Sequence, residues 1–189
     1  MTEPDAREMM RSAWNTRRKS LAASGNEQQT LIGDARRSLV SAVEICRNNG
    51  RQHDLAQALH LLANVETDMG HLNVARNLWE EAVSICRDVG DTLQRAQKVR
   101  HLGDLHWRQK RLAEAETCYV EALRLYSDHE DPPKLDFANA LTRYAKLKEV
   151  RQLPQDALQL WTDARDLFGA IELEAGVEEC SRHIARLSE

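Results

Sequence analysis

Apolar residues recur at steps of three and four along most of the chain, which is the spacing of one face of an α-helix. The segment HLNVARNLWEEAVSICRDVG, residues 71–90, carries such a stripe at Leu72, Ala75, Leu78, Trp79, Ala82, Val83, Ile85 and Cys86. The preceding segment LAQALHLLANVETDMG, residues 55–70, carries a second stripe. No segment alternates apolar and polar residues over the length of a strand. The pattern therefore predicts an all-α protein built from amphipathic helices.

Glycine and proline divide these stripes into pairs. Gly70 lies between the two stripes, and Gly50 and Gly90 follow the second stripe of successive pairs. A glycine at that place favours the left-handed turn that ends a helix. Pro132 and Pro133 precede a later first stripe, and proline suits the start of a helix. Each pair of stripes therefore predicts two helices joined by a tight turn.

The helix pair recurs about every forty residues, which indicates an internal repeat. The phrase ICRNNG at 45–50 returns as ICRDVG at 85–90. The same shift carries Ala35 onto Ala75 and Ala115, and a shift of forty-two carries Ala115 onto Ala157. We expect a single domain, 1–189, with three repeats, an irregular N-terminal pair and a capping helix. Their ranges are 5–50 for the irregular pair, 51–90, 91–130 and 131–170 for the repeats, and 171–189 for the cap.

The alanines that recur with the repeat predict where paired helices touch. Helix axes approach to about 8 Å only where one helix presents a small side chain to the other. Replacing Ala115 with leucine should therefore overpack the interface and lower the free energy of unfolding by roughly 1–3 kcal/mol. Thermal melting of the Ala115→Leu variant measures this loss, and an unchanged melting temperature would count against the predicted packing.

The two ends of the chain follow the pattern less closely. A helix over 5–23 is expected to turn Ala6, Met10, Trp14 and Leu21 inward, with a break at 24–26 and a second helix over 27–49. The last helix has one apolar face and one charged face. It is either a solvating cap, because a stack of repeats needs a polar outer surface, or a face that docks a second copy of the chain.

Composition narrows the classes of partner. A net charge of −4 and a pI of about 6.0 disfavour binding to nucleic acid across a broad surface. The apolar runs are far shorter than the roughly 20 residues that span a membrane, and the start MTEPDAREMMRSAW lacks an apolar secretory segment. Cysteines and histidines show no zinc-binding spacing. We expect a cytoplasmic protein with no membrane or nucleic-acid partner, no metal and no cofactor.

The repeats resemble the tetratricopeptide repeat, in the long form found in kinesin light chains and related bacterial proteins. The resemblance covers about residues 53–169 and rests on two motifs. In the first helix it is Leu62-Ala63, Leu102-Gly103 and Tyr144-Ala145; in the second helix it is Ala75-Trp79-Ala82, Ala115-Tyr119-Ala122 and Ala157-Trp161-Ala164. The sequence departs from the family at Glu66, His106 and Lys148, where an aromatic residue is usual, so looser packing is expected there.

The resemblance implies an α-α superhelix whose first helices line a concave groove that binds a peptide or protein. It assigns twelve positions to that groove. They are Gln57, His60 and Asn64 in the first repeat, Gln97, Arg100, Asp104, Trp107 and Arg108 in the second, and Asn139, Thr142, Lys146 and Glu149 in the third. The mixture of cations and amides suits a carboxylate or acidic side chain. Arg100 and Asp104 have an alternative to a binding role, because residues four apart on a helix can form an ion pair with each other.

Trp107 is either an exposed anchor for a partner or a residue that packs between neighbouring repeats. We expect a non-catalytic scaffold, because the sequence has no nucleophile elbow and no phosphate loop. The alternatives are a regulatory sensor whose groove closes around a short peptide and a structural homo-oligomer whose groove holds a neighbouring copy of the chain. A homodimer through the terminal helices is a separate alternative.

Overall fold

The computed structural model describes residues 5–188, and nine α-helices and no strand occur in that range. The helices are α1 (Ala6–Ala22), α2 (Gly25–Asn48), α3 (Gln52–Asp68), α4 (Leu72–Asp88), α5 (Thr92–Arg108), α6 (Leu112–Ser127), α7 (Lys134–Val150), α8 (Pro154–Gly169) and α9 (Glu174–Leu187). The ends of the predicted domain, residues 1–4 and 189, lie outside the described residues. Within 5–188 no helix is long and apolar enough to cross a membrane.

The helices pack as sequential antiparallel pairs, and the pairs fall within the predicted repeats. Helices α3 and α4 lie in the range 51–90, α5 and α6 in 91–130, and α7 and α8 in 131–170. The chain forms two compact units, one ending at Asp91 and one beginning at Thr92. The first unit contains α1–α4 and the second contains α5–α9. That the chain acts as a single domain stays a prediction.

The repeated alanines lie at the helix contacts, as the repeat predicts. Ala75, Ala115 and Ala157 are each 0% exposed. The aromatic residue four positions later is also buried in every repeat, at Trp79, Tyr119 and Trp161. A small side chain beside a large one allows close helix packing without leaving a void. The site of the Ala115→Leu test is therefore in the core of the second unit.

Two inward positions predicted for the N-terminal helix are wrong. Trp14 is 36% exposed and Leu21 is 57% exposed, whereas Ala13 and Ser20 are buried between α1 and α2. The cause is size, because small side chains admit the close approach of the two helices and the larger neighbours lie outside the contact. Trp14 instead packs beneath the Arg17 guanidinium, 4.8 Å from its ring centre.

The positions that depart from the family pattern are not loosely packed. Glu66 is 1% exposed, and its carboxylate accepts hydrogen bonds from Arg36 Nε and His71 Nδ1, both at 2.6 Å. Lys148 pairs with Glu116 at 3.1 Å and with Asp156 at 3.2 Å. Ion pairs therefore replace the aromatic packing at two of the three positions. They satisfy polar groups that would otherwise be costly to bury.

The cysteines are packing residues. Cys46, Cys86, Cys118 and Cys180 are all free thiols. Cys46 and Cys86, which occupy equivalent places in the repeated phrase, are 0% and 2% exposed. Burial raises the pKa of the Cys180 thiol to about 11. A thiol with such a pKa is protonated and unreactive at neutral pH.

Helix α9 covers the end of the second unit. Cys180 is 0% exposed, and Val177, Ile184 and Leu187 pack against the same core. Gly176 lies so close to α8 that an added Cβ would come within 2.5 Å of the Phe168 ring. The opposite face of the helix carries exposed polar residues, among them Glu178, Ser181 and Arg182. This arrangement favours the solvating cap over the docking face.

Six of the turns between described helices contain a residue with a positive φ, and in three of them that residue is not glycine. Gly90 has φ 73°, and Gln152 adopts a similar φ of 59°. A side chain in this region costs roughly 1–2 kcal/mol. We expect Gln152→Gly to raise the free energy of unfolding by about 1 kcal/mol, measured by urea denaturation.

The reverse change is the control for this prediction. A Cβ added at Gly90 meets no atom within 4 Å, so Gly90→Gln changes the backbone preference without a clash. It should lower the free energy of unfolding by a similar amount. If Gln152→Gly leaves stability unchanged while Gly90→Gln lowers it, the turn after α7 is not strained.

Candidate functional site

In the first unit, the predicted groove positions lie on α3 and are largely fixed by their neighbours. His60 is 6% exposed, and Trp79 Nε1 donates a hydrogen bond to its Nδ1 at 3.3 Å. The Asn64 amide lies 3.2 Å from His60 Nε2. Both ring nitrogens of His60 lie beside polar groups of neighbouring side chains. His60 is thus mainly a buried residue that orients Trp79, while Gln57 is partly exposed on the same helix.

In the second unit, two of the predicted positions lie beneath the surface. Arg100 is 7% exposed and Thr142 is 6% exposed. Arg100 donates to Asp104 Oδ2 at 3.0 Å, which is the pairing that their spacing predicts. Thr142 donates to the backbone oxygen of Asn139 at 2.9 Å. These two side chains are thus held by hydrogen bonds within their own helices.

The remaining residues include four that line one pocket of about 320 Å³ in the second unit. Six residues line this pocket in total: three from α5, one from α6 and two from α7. The lining residues are Asp104, Trp107, Arg108, Tyr119, Arg143 and Lys146. The predicted members are Asp104, Trp107, Arg108 and Lys146. We call this cavity the basic pocket.

The single carboxylate of the basic pocket already has hydrogen-bond donors. Tyr119 Oη donates to Asp104 Oδ1 at 2.9 Å, and Arg100 donates to Oδ2. Arg143 Nε lies 3.6 Å from Oδ1. Burial, together with the neighbouring Asp104 charge, raises the pKa of the Tyr119 phenol, so the phenol keeps its proton at neutral pH. The negative charge of Asp104 is therefore largely compensated from within the protein.

The cations of the pocket are more available than its carboxylate. Arg143 has 48% of its side chain exposed. Arg108 is exposed and makes no ion pair with any residue in the range 5–188. Lys146 is 35% exposed and lies over the Trp161 ring, 5.7 Å from its centre. Lys146 also donates a hydrogen bond to Glu179 of α9 at 2.8 Å. The three cations and the one carboxylate that line the pocket still leave an excess of positive charge, which attracts an anion.

Trp107 both packs against neighbouring helices and faces the basic pocket, which were the two alternatives for this residue. It is partly buried and packs against the cluster of Ala115, Tyr119 and Leu147 within the second unit. It also lines the basic pocket. An indole held in place by packing and open to a pocket on one side is a suitable rigid contact for a ligand.

The other three predicted positions of the second unit do not line the basic pocket. Gln97 and Asn139 are partly exposed elsewhere on α5 and α7. Glu149 accepts hydrogen bonds from Trp161 Nε1 at 2.6 Å and from His183 Nδ1 at 2.7 Å, and it pairs with Arg186. Glu149 therefore holds the capping helix to α7, and no binding role is needed to explain it.

Two lining residues, Arg143 and Tyr119, were not among the predicted positions. Arg143 corresponds in register to Leu61 and His101, and Leu61 is 8% exposed. Because the equivalent position of the first repeat is a buried leucine, the repeat pattern did not indicate an exposed cation at this position of the third repeat. Tyr119 belongs to the repeated motif of the second helix and is 1% exposed, and its hydroxyl group donates to Asp104 of the pocket.

The chemistry available in the pocket is that of binding. Its side chains supply guanidinium and ammonium donors, an indole face and a protonated phenol. In the described part of the chain, no group of three or more histidine, cysteine, aspartate or glutamate side chains is arranged to hold a metal ion. The arrangement can hold a carboxylate by charge-assisted hydrogen bonds, with an apolar surface beside it.

Comparison with known proteins identifies the repeat and the fold. Residues 54–128 match the family model described as Tetratricopeptide repeat. No curated protein sequence matches the chain. Many solved structures do, and three of them illustrate the range of similarity.

The crystal structure of the apo form of RapI superposes with a TM-score of 0.74 at 12% identity, covering 90% of this chain and 59% of RapI. A putative kinesin light chain from Podosopora anserina with nearly identical TPR-like repeats gives 0.66 at 14%, covering 98% of this chain and 97% of that one. BtubC (BKLC) from P. vanneervenii gives 0.51 at 13%, covering 98% and 92%. These similarities confirm the predicted all-α fold class, and the chain spans 59% of the length of RapI.

Proposed function

We propose that this chain, whose residues 54–128 are tetratricopeptide repeats, is a non-catalytic interaction module that binds an acidic segment of a peptide or protein partner at the basic pocket. Tetratricopeptide repeats in general mediate interactions between proteins, and the pocket suggests which chemistry this one selects. The observation that carries the proposal is the convergence of Arg108, Arg143 and Lys146 on one cavity whose carboxylate is already hydrogen-bonded.

The geometry suits a side-chain carboxylate better than a neutral ligand. Arg108 and Arg143 are exposed, so each can donate to an incoming anion without leaving a buried partner unsatisfied. A hydrogen bond between charged groups is roughly twice as strong as one between neutral groups. Trp107 adds an apolar wall for the aliphatic part of a glutamate or for a neighbouring residue of the partner.

The absence of catalysis is part of the proposal. A general base needs an acceptor that is free to take a proton, but both oxygens of Asp104 accept hydrogen bonds from side chains of the protein. The Tyr119 phenol has a raised pKa, which makes it a poor acid or nucleophile near neutral pH. The polar groups of the pocket are therefore arranged to recognise charge.

The compartment and oligomeric state stay predictions. Four free cysteines, three of them buried, suit the predicted cytoplasmic location, because thiols stay reduced there. The polar outer face of α9 favours a monomer over the predicted alternative of a homodimer through terminal helices. Size-exclusion chromatography with light scattering distinguishes a monomer from a dimer. A dimer would support the alternative that the protein is a structural homo-oligomer.

A peptide array tests the proposed function. The array carries acidic peptides and, for each of them, a copy with glutamine and asparagine in place of glutamate and aspartate. We expect binding to the acidic members alone, weakened by added salt because exposed charges are screened. Equal binding to the acidic and neutral copies, or binding to neither, would overturn the proposal. A short peptide around which the groove closes would instead support the predicted regulatory sensor.

A further inference from the structure

The capping helix places a carboxylate beside the cations of the basic pocket. Glu179 of α9 accepts a hydrogen bond from Lys146 Nζ at 2.8 Å. This hydrogen bond lowers the pKa of Glu179, and the charge of Arg143 acts in the same direction. Glu179 is therefore ionised at neutral pH and lies in the field of two of the three cations that line the pocket.

We infer that Glu179 is a built-in competitor, which occupies Lys146 until an acidic ligand displaces it, and that α9 thereby limits the affinity of the basic pocket. The inference rests on the proposed function, because it concerns the same pocket and the same class of ligand. It gives the capping helix a second role besides covering the core.

The residues next to Glu179 anchor α9 to the core, which keeps the Glu179 carboxylate near Lys146. The next residue, Cys180, is 0% exposed in the core under α9. One turn further on, His183 stacks on Trp161 with ring centres 3.9 Å apart and contacts Glu149. A tethered carboxylate acts at a high effective concentration near its partner, although each contact is weak.

Both side chains of the pair are exposed enough for an incoming ligand to reach them. Glu179 is 40% exposed and Lys146 is 35% exposed, so the pair is in contact with water. Exposed ion pairs of this kind contribute roughly 0.2–1 kcal/mol. An incoming carboxylate can therefore displace Glu179 by a rotation of side chains, with α9 still in place.

The matched comparison is Glu179→Gln against Glu178→Gln. Both variants remove one negative charge from α9, but Glu178 lies on the exposed outer face, away from Lys146. The probe is a fluorescein-labelled hexaglutamate peptide, and its dissociation constant is measured by fluorescence anisotropy. We expect Glu179→Gln to bind the peptide roughly two- to fivefold more tightly, as loss of one exposed pair allows, with Glu178→Gln unchanged.

A double-mutant cycle shows whether the gain passes through Lys146. In a Lys146→Gln background, Glu179→Gln should no longer increase affinity, because the competitor has lost the cation that it occupies. A gain of the same size for Glu178→Gln, or one that persists without Lys146, would overturn the inference in favour of a general effect of net charge.

The failure of the inference and the failure of the proposed function give different results. If the wild-type protein binds hexaglutamate and Glu179→Gln binds it equally well, the competition is absent while the binding function stands. If neither the wild-type protein nor Glu179→Gln binds the peptide, the proposed function fails and the competition fails with it.

Discussion

Replacing Trp161 with alanine should lower the free energy of unfolding by about 3–5 kcal/mol, the range found for removal of a buried large aromatic side chain. Trp161 is 0% exposed and lies in the core between α7, α8 and α9. Its loss leaves a cavity and also removes the surface on which His183 stacks. Such a loss is a large part of the 5–15 kcal/mol that typically stabilises a domain.

Two control variants separate packing from hydrogen bonding. Trp161→Phe keeps most of the buried ring but removes the Nε1–H that donates to Glu149 at 2.6 Å, so it should cost about 1–3 kcal/mol. Trp14→Ala makes the same truncation at a tryptophan that is 36% exposed, and it should cost at most about 1 kcal/mol. Urea denaturation followed by circular dichroism measures all three, and equal losses for Trp161→Ala and Trp14→Ala would show that burial does not govern the effect.

Periodicity predicts the fold well because the same contact recurs in each repeat. Ala75, Ala115 and Ala157 could be placed at helix interfaces from their spacing, since only a small side chain allows that approach. The same reasoning misplaced Trp14, because a single terminal helix offers no second copy against which to align its stripe. The left-handed turn at Gln152 could not be predicted either, because glutamine, unlike glycine, does not favour a positive φ.

The candidate site was harder to predict because residues on one helix face have different depths. His60, Arg100 and Thr142 share the spacing of exposed groove positions, yet all three are buried by neighbouring helices. Their depth depends on how the helices pack, which periodicity within one helix does not report. Glu149 was assigned by register alone, and its partners on α8 and α9 come from a terminal helix that has no counterpart in the repeat.

Arg143→Glu should weaken the binding of an acidic ligand at the basic pocket by roughly 10- to 100-fold. The change removes one donor to the incoming carboxylate and places a like charge in its path, and a hydrogen bond to a charged group contributes about 1.5–3 kcal/mol. The protein should stay folded, because 48% of the Arg143 side chain is exposed and its ion pair with Asp104 is long, at 3.6 Å. Anisotropy with the labelled hexaglutamate peptide measures the affinity, and circular dichroism checks the fold.

Arg124→Glu is the matched control, because it makes the same change of charge at an arginine of α6 that does not line the pocket. Arg124 is 64% exposed and pairs with Asp128 at 3.6 Å. If the net charge of the protein governed attraction, the two variants would weaken binding equally, and the effect would vanish at high salt for both. A loss confined to Arg143→Glu assigns recognition to the basic pocket, because the two variants change the net charge equally and Arg143 lines the pocket whereas Arg124 does not. Equal losses would instead place the acidic ligand elsewhere on the surface.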